Sequence, residues 1–245
     1  MKRFKWQIFL GVGLVGMSAV LYFVHYLMFH DAHHIFIYLM GDIAFVPIEV
    51  LMVTLILHEL LASRDRRNKM NKLNMVIGTF FSEVGTELLR FLASHDSNSD
   101  MLGEVLDVEG NWTKAEFGSA RNDLQGHDFK LSVERNELSE IAEMLVGKRG
   151  FMVTLLENPL LLEHDRFTDT LWAVFHLTEE LASRRDFSTL SDKDLAHLTG
   201  DMERAYSQAA VEWIHYMEHL KSEYPYLFSL AMRRNPFGSS EDAAM

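Results

Sequence analysis

The chain has 245 residues and a formal net charge of −12, with 35 acidic side chains against 23 basic ones. An acidic balance argues against nucleic-acid binding, which needs a basic face. The absence of cysteine excludes disulfides and thiolate metal sites, and four prolines among many Leu, Glu, Ala and Met predict an all-α protein.

Met1–Lys5 is a short basic start, and Trp6–Phe29 then runs apolar for 24 residues without Asp, Glu, Lys or Arg. This run is longer than the apolar part of a signal peptide and ends without a small-residue cleavage site, so it reads as an uncleaved span. The literal match Gly11-Val-Gly13-Leu-Val-Gly16 lies inside it. No strand precedes it, so it is not a dinucleotide fingerprint; Gly13, Gly16 and Ala19 read as a face for close helix packing.

His30-Asp31-Ala32-His33-His34 follows, and a second apolar run extends from Ile35 to Ser63. So short a connection forces an antiparallel hairpin, with spans at about 6–29 and 36–61 within a hairpin region 1–63. Lys and Arg lie before the first span and after the second, with none between them. The positive-inside rule places both termini in the cytoplasm and predicts a multi-pass protein of the cell (inner) membrane. The histidine turn then faces outward. His30, His33 and His34 are weak metal candidates, because His30 and His34 share one face if the turn is helical; the alternative is a solvated polar turn.

The second run carries Asp42 and Glu49 where hydrocarbon is expected. Seven residues apart, they fall about 20° apart on one helix face. Each charged residue at a bilayer centre costs at least about 2.5 kcal/mol, so the stripe should face protein or water. Two readings stay open. In one, several copies surround an axis and the carboxylates line a cation path, with Pro47 between them freeing a carbonyl. In the other, the acids serve burial and assembly. Both predict a homo-oligomer.

A collar at 64–72 holds Arg64, Arg66, Arg67, Lys69 and Lys72 against one acid, Asp65, and is placed to meet anionic lipid headgroups. Residues 73–235 read as one cytoplasmic bundle of five to seven helices, followed by a flexible tail at 236–245. Apolar residues from Leu73 to Leu92 recur at three and four. Thr113-Lys-Ala-Glu116 and Ser191-Asp-Lys-Asp194 have the pattern of capping boxes. A long helical pattern from Leu131 to Glu157 has weak points at Gly147 and Gly150, and Asn158-Pro159 ends it. Helices are predicted at about 161–185 and from 191 to about 222. Pro225 then introduces a short segment, YPYLFSLAMRR, expected to pack on its own bundle rather than on headgroups.

Catalytic motifs fail one by one. His58-Glu59 lacks the second histidine of H-E-x-x-H, because position 62 is Ala. Glu212-Trp-Ile-His215 is a single E-x-x-H, whereas a di-iron bundle wants two. His164, His176, Glu179, Glu180 and His219 read as a solvated or partly paired face. No enzyme activity and no cofactor are predicted. The expected function is an oligomeric membrane protein with a cation path at Asp42 and Glu49. Its alternative is a membrane-anchored helical module with a cytoplasmic protein partner.

Overall fold

A computed structural model describes residues 2–238. It is mostly helical and contains no strand among the described residues, in keeping with the all-α expectation. The chain divides into two compact units, with the boundary between Asp65 and Arg66.

The first unit holds α1 (Lys2–Phe29) and the start of α2 (Ala32–Phe80). His30 takes φ 52°, the left-handed conformation that lets the chain reverse. Asp31 then caps α2, its Oδ1 accepting from the His33 and His34 backbone N–H groups at 2.9 and 3.2 Å. The turn is therefore not helical at His30, and the i,i+4 geometry expected of His30 and His34 does not form. Among the described residues, two helices are long and apolar enough to cross a membrane. No residue from Phe9 to Leu61 is buried. The glycine face expected to receive another helix is open among the described residues: a Cβ at Gly13 or Gly16 would meet nothing within 4 Å.

The second unit closes a core of its own. α2 enters it through Leu73, Ile77 and Phe80, all buried at the predicted spacing. Its pattern then widens. The Thr86 N–H bonds to the Phe81 carbonyl five residues back, giving one π turn at Phe81–Gly85. That turn seats Phe80 and Phe81 side by side in the core, their rings 5.3 Å apart and edge to face. The chain continues through α3 (Thr86–Ser94), α4 (Ser99–Val105) and α5 (Lys114–Gly126). α5 starts at the Thr113 capping box as predicted. The 131–157 pattern resolves into α6 (Leu138–Gly147) and α7 (Arg149–Leu156), divided at Lys148. A 3₁₀ turn, Pro159–Glu163, follows, with the Asn158 side chain accepting from the Leu160 N–H.

α8 (Asp165–Ala182), α9 (Asp192–Glu223) and α10 (Pro225–Arg233) complete the unit. α9 is its axis and packs against α3, α5, α8 and α10. Ser191 caps it, accepting from the Asp194 N–H at 3.1 Å. Small residues Ala205, Ala209 and Ala210 alternate with Met202, Tyr206, Trp213 and Met217, all buried, which lets neighbours close in on several sides. α10 packs on α9 and buries Phe228, while Tyr226 stays exposed. The first residues of the expected tail pack on the domain. Pro236 and Phe237 are buried, and Phe237 meets Trp213 edge to face at 5.3 Å. The rest of the predicted tail, 239–245, lies outside the described residues.

Candidate functional site

Asp42 and Glu49 both lie on α2, which runs unbroken through Pro47. Both are exposed. Asp42 Oδ2 accepts a long hydrogen bond from the Tyr22 hydroxyl of α1 at 3.4 Å. Glu49 has no ion pair or hydrogen bond among the described residues. His25 of α1 and His34 of α2 lie with near-parallel rings, centroids 6.4 Å apart. In the collar, Arg64, Arg66, Arg67 and Lys72 are exposed and Lys69 is half-buried. Arg67 Nη2 lies 3.7 Å from Glu223 Oε1.

The richer chemistry lies between α8 and α9. These helices run antiparallel, so each step forward on one is matched by a step back on the other. Arg166 meets Glu212, Thr170 meets the Gln208 carbonyl, His176 meets Asp201, and Glu180 meets His197. Glu212 and Asp201 are eleven residues apart, three helical turns, and so share one face of α9. Both are buried.

At the Glu212 end, burial pushes the carboxyl up to about 7, outweighing the opposing pull of Arg166. Arg166 Nε lies 3.8 Å from Glu212 Oε2, which makes no hydrogen bond. The same guanidinium donates from Nη1 to His215 Nε2 at 2.7 Å. Burial, followed by Arg166, Arg121 and His164, drives His215 down to about 4. His215 is therefore a neutral acceptor at neutral pH. The lone E-x-x-H motif thus has an arginine standing where a metal would sit.

At the Asp201 end, the carboxylate side chain is only 3% exposed. Arg204 Nη1 donates to its Oδ1 at 3.2 Å. Its Oδ2 makes no hydrogen bond, although His176 Nε2 and His197 Nε2 approach to 3.5 and 3.4 Å. Glu180 completes the group, with Oε2 3.7 Å from His197 Nε2. Arg184 donates to that oxygen at 2.8 Å and holds the Glu180 carboxyl below its usual range. Ligand atoms of Glu180, His197 and Asp201 all lie within 4.8 Å of one another, the one such cluster among the described residues. The turn residues His30, His33 and His34 form none. Sequence reasoning took His176 and Glu180 as a solvated face and did not single out His197 or Asp201. The signal was present as two pairs, His176-x-x-x-Glu180 and His197-x-x-x-Asp201, each on one face of its helix.

A third feature is a groove of about 970 Å³. Phe81, Trp213, Tyr216 and Tyr224 line it, with Arg90 and Arg233 among its polar groups. Phe81 stacks on Tyr216 at 5.2 Å, so the π turn shapes one wall. His219 sits in the same groove, its Nδ1 3.1 Å from Asn74 Nδ2 and its Nε2 buried without a partner. Burial lowers its pKa.

Two family models match the chain. The model of the C-terminal helical domain of uncharacterised protein MJ1433 covers residues 69–233, and that of the MJ1433 N-terminal helical domain covers 2–61. Uncharacterised protein MJ1433 of Methanocaldococcus jannaschii is 38% identical over 233 residues, which span 95% of this chain and 94% of the relative. No solved structure matches. The two family models meet near the boundary between the two compact units. The chain belongs to the MJ1433 family, with an N-terminal and a C-terminal helical domain.

Proposed function

We propose that this is an integral membrane protein in which the hairpin 1–63 is the bilayer anchor and the helical domain is the working part. In this reading both termini lie at the cytoplasmic side, the collar meets lipid headgroups, and the domain receives a protein partner. One observation carries it. Apolar side chains from Phe9 to Leu61 remain exposed along both helices, among them Phe23, Phe36, Phe45 and Leu57, while the second unit closes a complete core of its own. Soluble monomers seldom expose contiguous apolar patches beyond about 600 Å². Such a hairpin needs lipid, and the domain does not. The aromatic groove, with its arginines, is the surface that favours a partner over a purely structural domain.

The experiment is extraction of native membranes. The full chain is expected to resist alkaline carbonate and to require detergent. Release by carbonate or by high salt would overturn the anchor, since those conditions free proteins held only by charge.

A second reading is a homo-oligomer whose hairpins enclose a cation path. It rests on Glu49, an intramembrane carboxylate without a partner among the described residues, on the same helix face as Asp42. The open glycine face of α1 suits close approach by another copy. Cation flux in reconstituted vesicles separates the two readings.

A further inference from the structure

We infer that the α8–α9 pair carries a transition-metal site of the zinc class, formed by Glu180, His197 and Asp201, with His176, which reaches Asp201 Oδ2, as the fourth donor. Each helix supplies one imidazole and one carboxylate four residues apart, and the antiparallel register sets the pairs against each other. Two separations define the centre, His197 Nε2 to Asp201 Oδ2 at 3.4 Å and His176 Nε2 to Asp201 Oδ2 at 3.5 Å, with Glu180 within 4.8 Å of His197 and Asp201. These are long for hydrogen bonds. They match ligands around a shared ion: nitrogen and oxygen atoms about 2.0–2.1 Å from a tetrahedral Zn²⁺ lie roughly 3.3–3.4 Å from one another.

The second, independent observation is Asp201 itself. Its side chain is 3% exposed, yet Oδ2 has no hydrogen bond and points at both imidazoles. A buried carboxylate oxygen left unpaired is costly, and a cation held by those imidazoles removes the cost. Arg204 on Oδ1 fixes the carboxylate and leaves Oδ2 to the ion, as outer hydrogen bonds do in metal sites. Arg184 occupies Glu180 Oε2, so Glu180 must bind through its other oxygen or release that arginine. It is the weakest of the four ligands. Two imidazoles with two carboxylates select borderline ions such as Zn²⁺ or Co²⁺, whereas Ca²⁺ and Mg²⁺ prefer oxygen alone. The bound ion ties α8 to α9, so domain stability becomes metal-dependent.

The test uses the untagged full chain in detergent micelles, stripped with chelator and titrated with Co²⁺. One Co²⁺ per chain is expected, with the intense visible absorption of a tetrahedral nitrogen–oxygen site, a raised melting temperature, and displacement by Zn²⁺. His197→Ala and Asp201→Asn should each abolish this absorption, and Glu180→Gln should weaken binding by about tenfold. A combined His30→Ala, His33→Ala, His34→Ala variant should bind as the unaltered chain does. No tetrahedral absorption, absorption that survives both His197→Ala and Asp201→Asn, or absorption lost only in the turn variant would each overturn the proposal. His176 and His197 are about half-exposed, so their replacement spares the core. If Asp201→Asn fails to fold, His176→Ala and His197→Ala decide the matter.

Discussion

Glu212 gives the sharpest quantitative handle on the helical domain. The carboxyl is buried, lacks a hydrogen bond at Oε2, and titrates near 7 instead of its ordinary 4.5. Its folded pKa therefore lies above its unfolded one, and the folded state binds the extra proton between those values. Stability falls as pH rises from about 4.5 to about 7, and the full penalty is present above 7. At about 1.36 kcal/mol per pH unit, that separation is worth about 3 kcal/mol. Glu212→Gln removes the titration and keeps the shape. The amide adds an offset of its own, because its N–H groups need acceptors in a site that offers few. That offset is the same at every pH, so the pH dependence isolates the charge. Urea unfolding of the full chain in micelles, followed by the fluorescence of buried Trp213 and the other tryptophans, supplies the free energies. The variant should gain about 3 kcal/mol on the unaltered protein between pH 4 and pH 8. A constant difference across that range would refute the reasoning, and so would a gain toward low pH.

Two further outcomes test other parts of the molecule. At Gly85, a Cβ would lie 2.6 Å from Phe81 Cδ1 and 2.8 Å from Phe80 Cε1, with both rings buried. Gly85→Ala should cost about 1–3 kcal/mol by urea unfolding, and an unchanged midpoint would show that the π turn tolerates a side chain. In sealed vesicles carrying the reconstituted protein, Asp42→Asn with Glu49→Gln should reduce monovalent cation flux at least about tenfold if the stripe lines a path. Equal flux from both proteins would remove the carboxylates from any conduction pathway.

The hairpin and most helices were legible because their causes are local. Apolar runs, the 3–4 spacing of Leu73 to Leu92, the caps at Thr113 and Ser191, and the break at Asn158-Pro159 all lie within a few residues of the elements they determine. What escaped depends on partners distant in the chain. Phe237 is core because Trp213 and Tyr206 receive it. The π turn exists because two consecutive phenylalanines both find buried places, one against Phe167 and the other against Tyr216. The Asp201 centre was half legible: each helix shows its His–carboxylate pair, but only the register across 183–191 brings the pairs together. The acids of the hairpin were visible at once, since charge in an apolar run needs no partner to be noticed. Both remain exposed, Asp42 beside the Tyr22 hydroxyl.

One face of α9 buries two carboxylates against α8, and the two are treated differently. Taking a carboxylate out of water costs several kcal/mol unless protonation or a cation offsets it. At Glu212 the fold places a guanidinium at 3.8 Å, too far to donate, and lets the group hold its proton up to about neutral pH. At Asp201 it places Arg204 on one oxygen and turns the other toward two imidazoles, each of which carries one N–H and one lone pair when neutral. An arrangement evolved only to pay for Asp201 would aim a donor at Oδ2, as it does at Oδ1. Two imidazoles that face an anionic oxygen without hydrogen-bonding it leave a place for something positive between them. Eleven residues of helix rise separate the two centres by about 16 Å, so each answers its own stimulus, protons at one end of the helix pair and a divalent metal at the other.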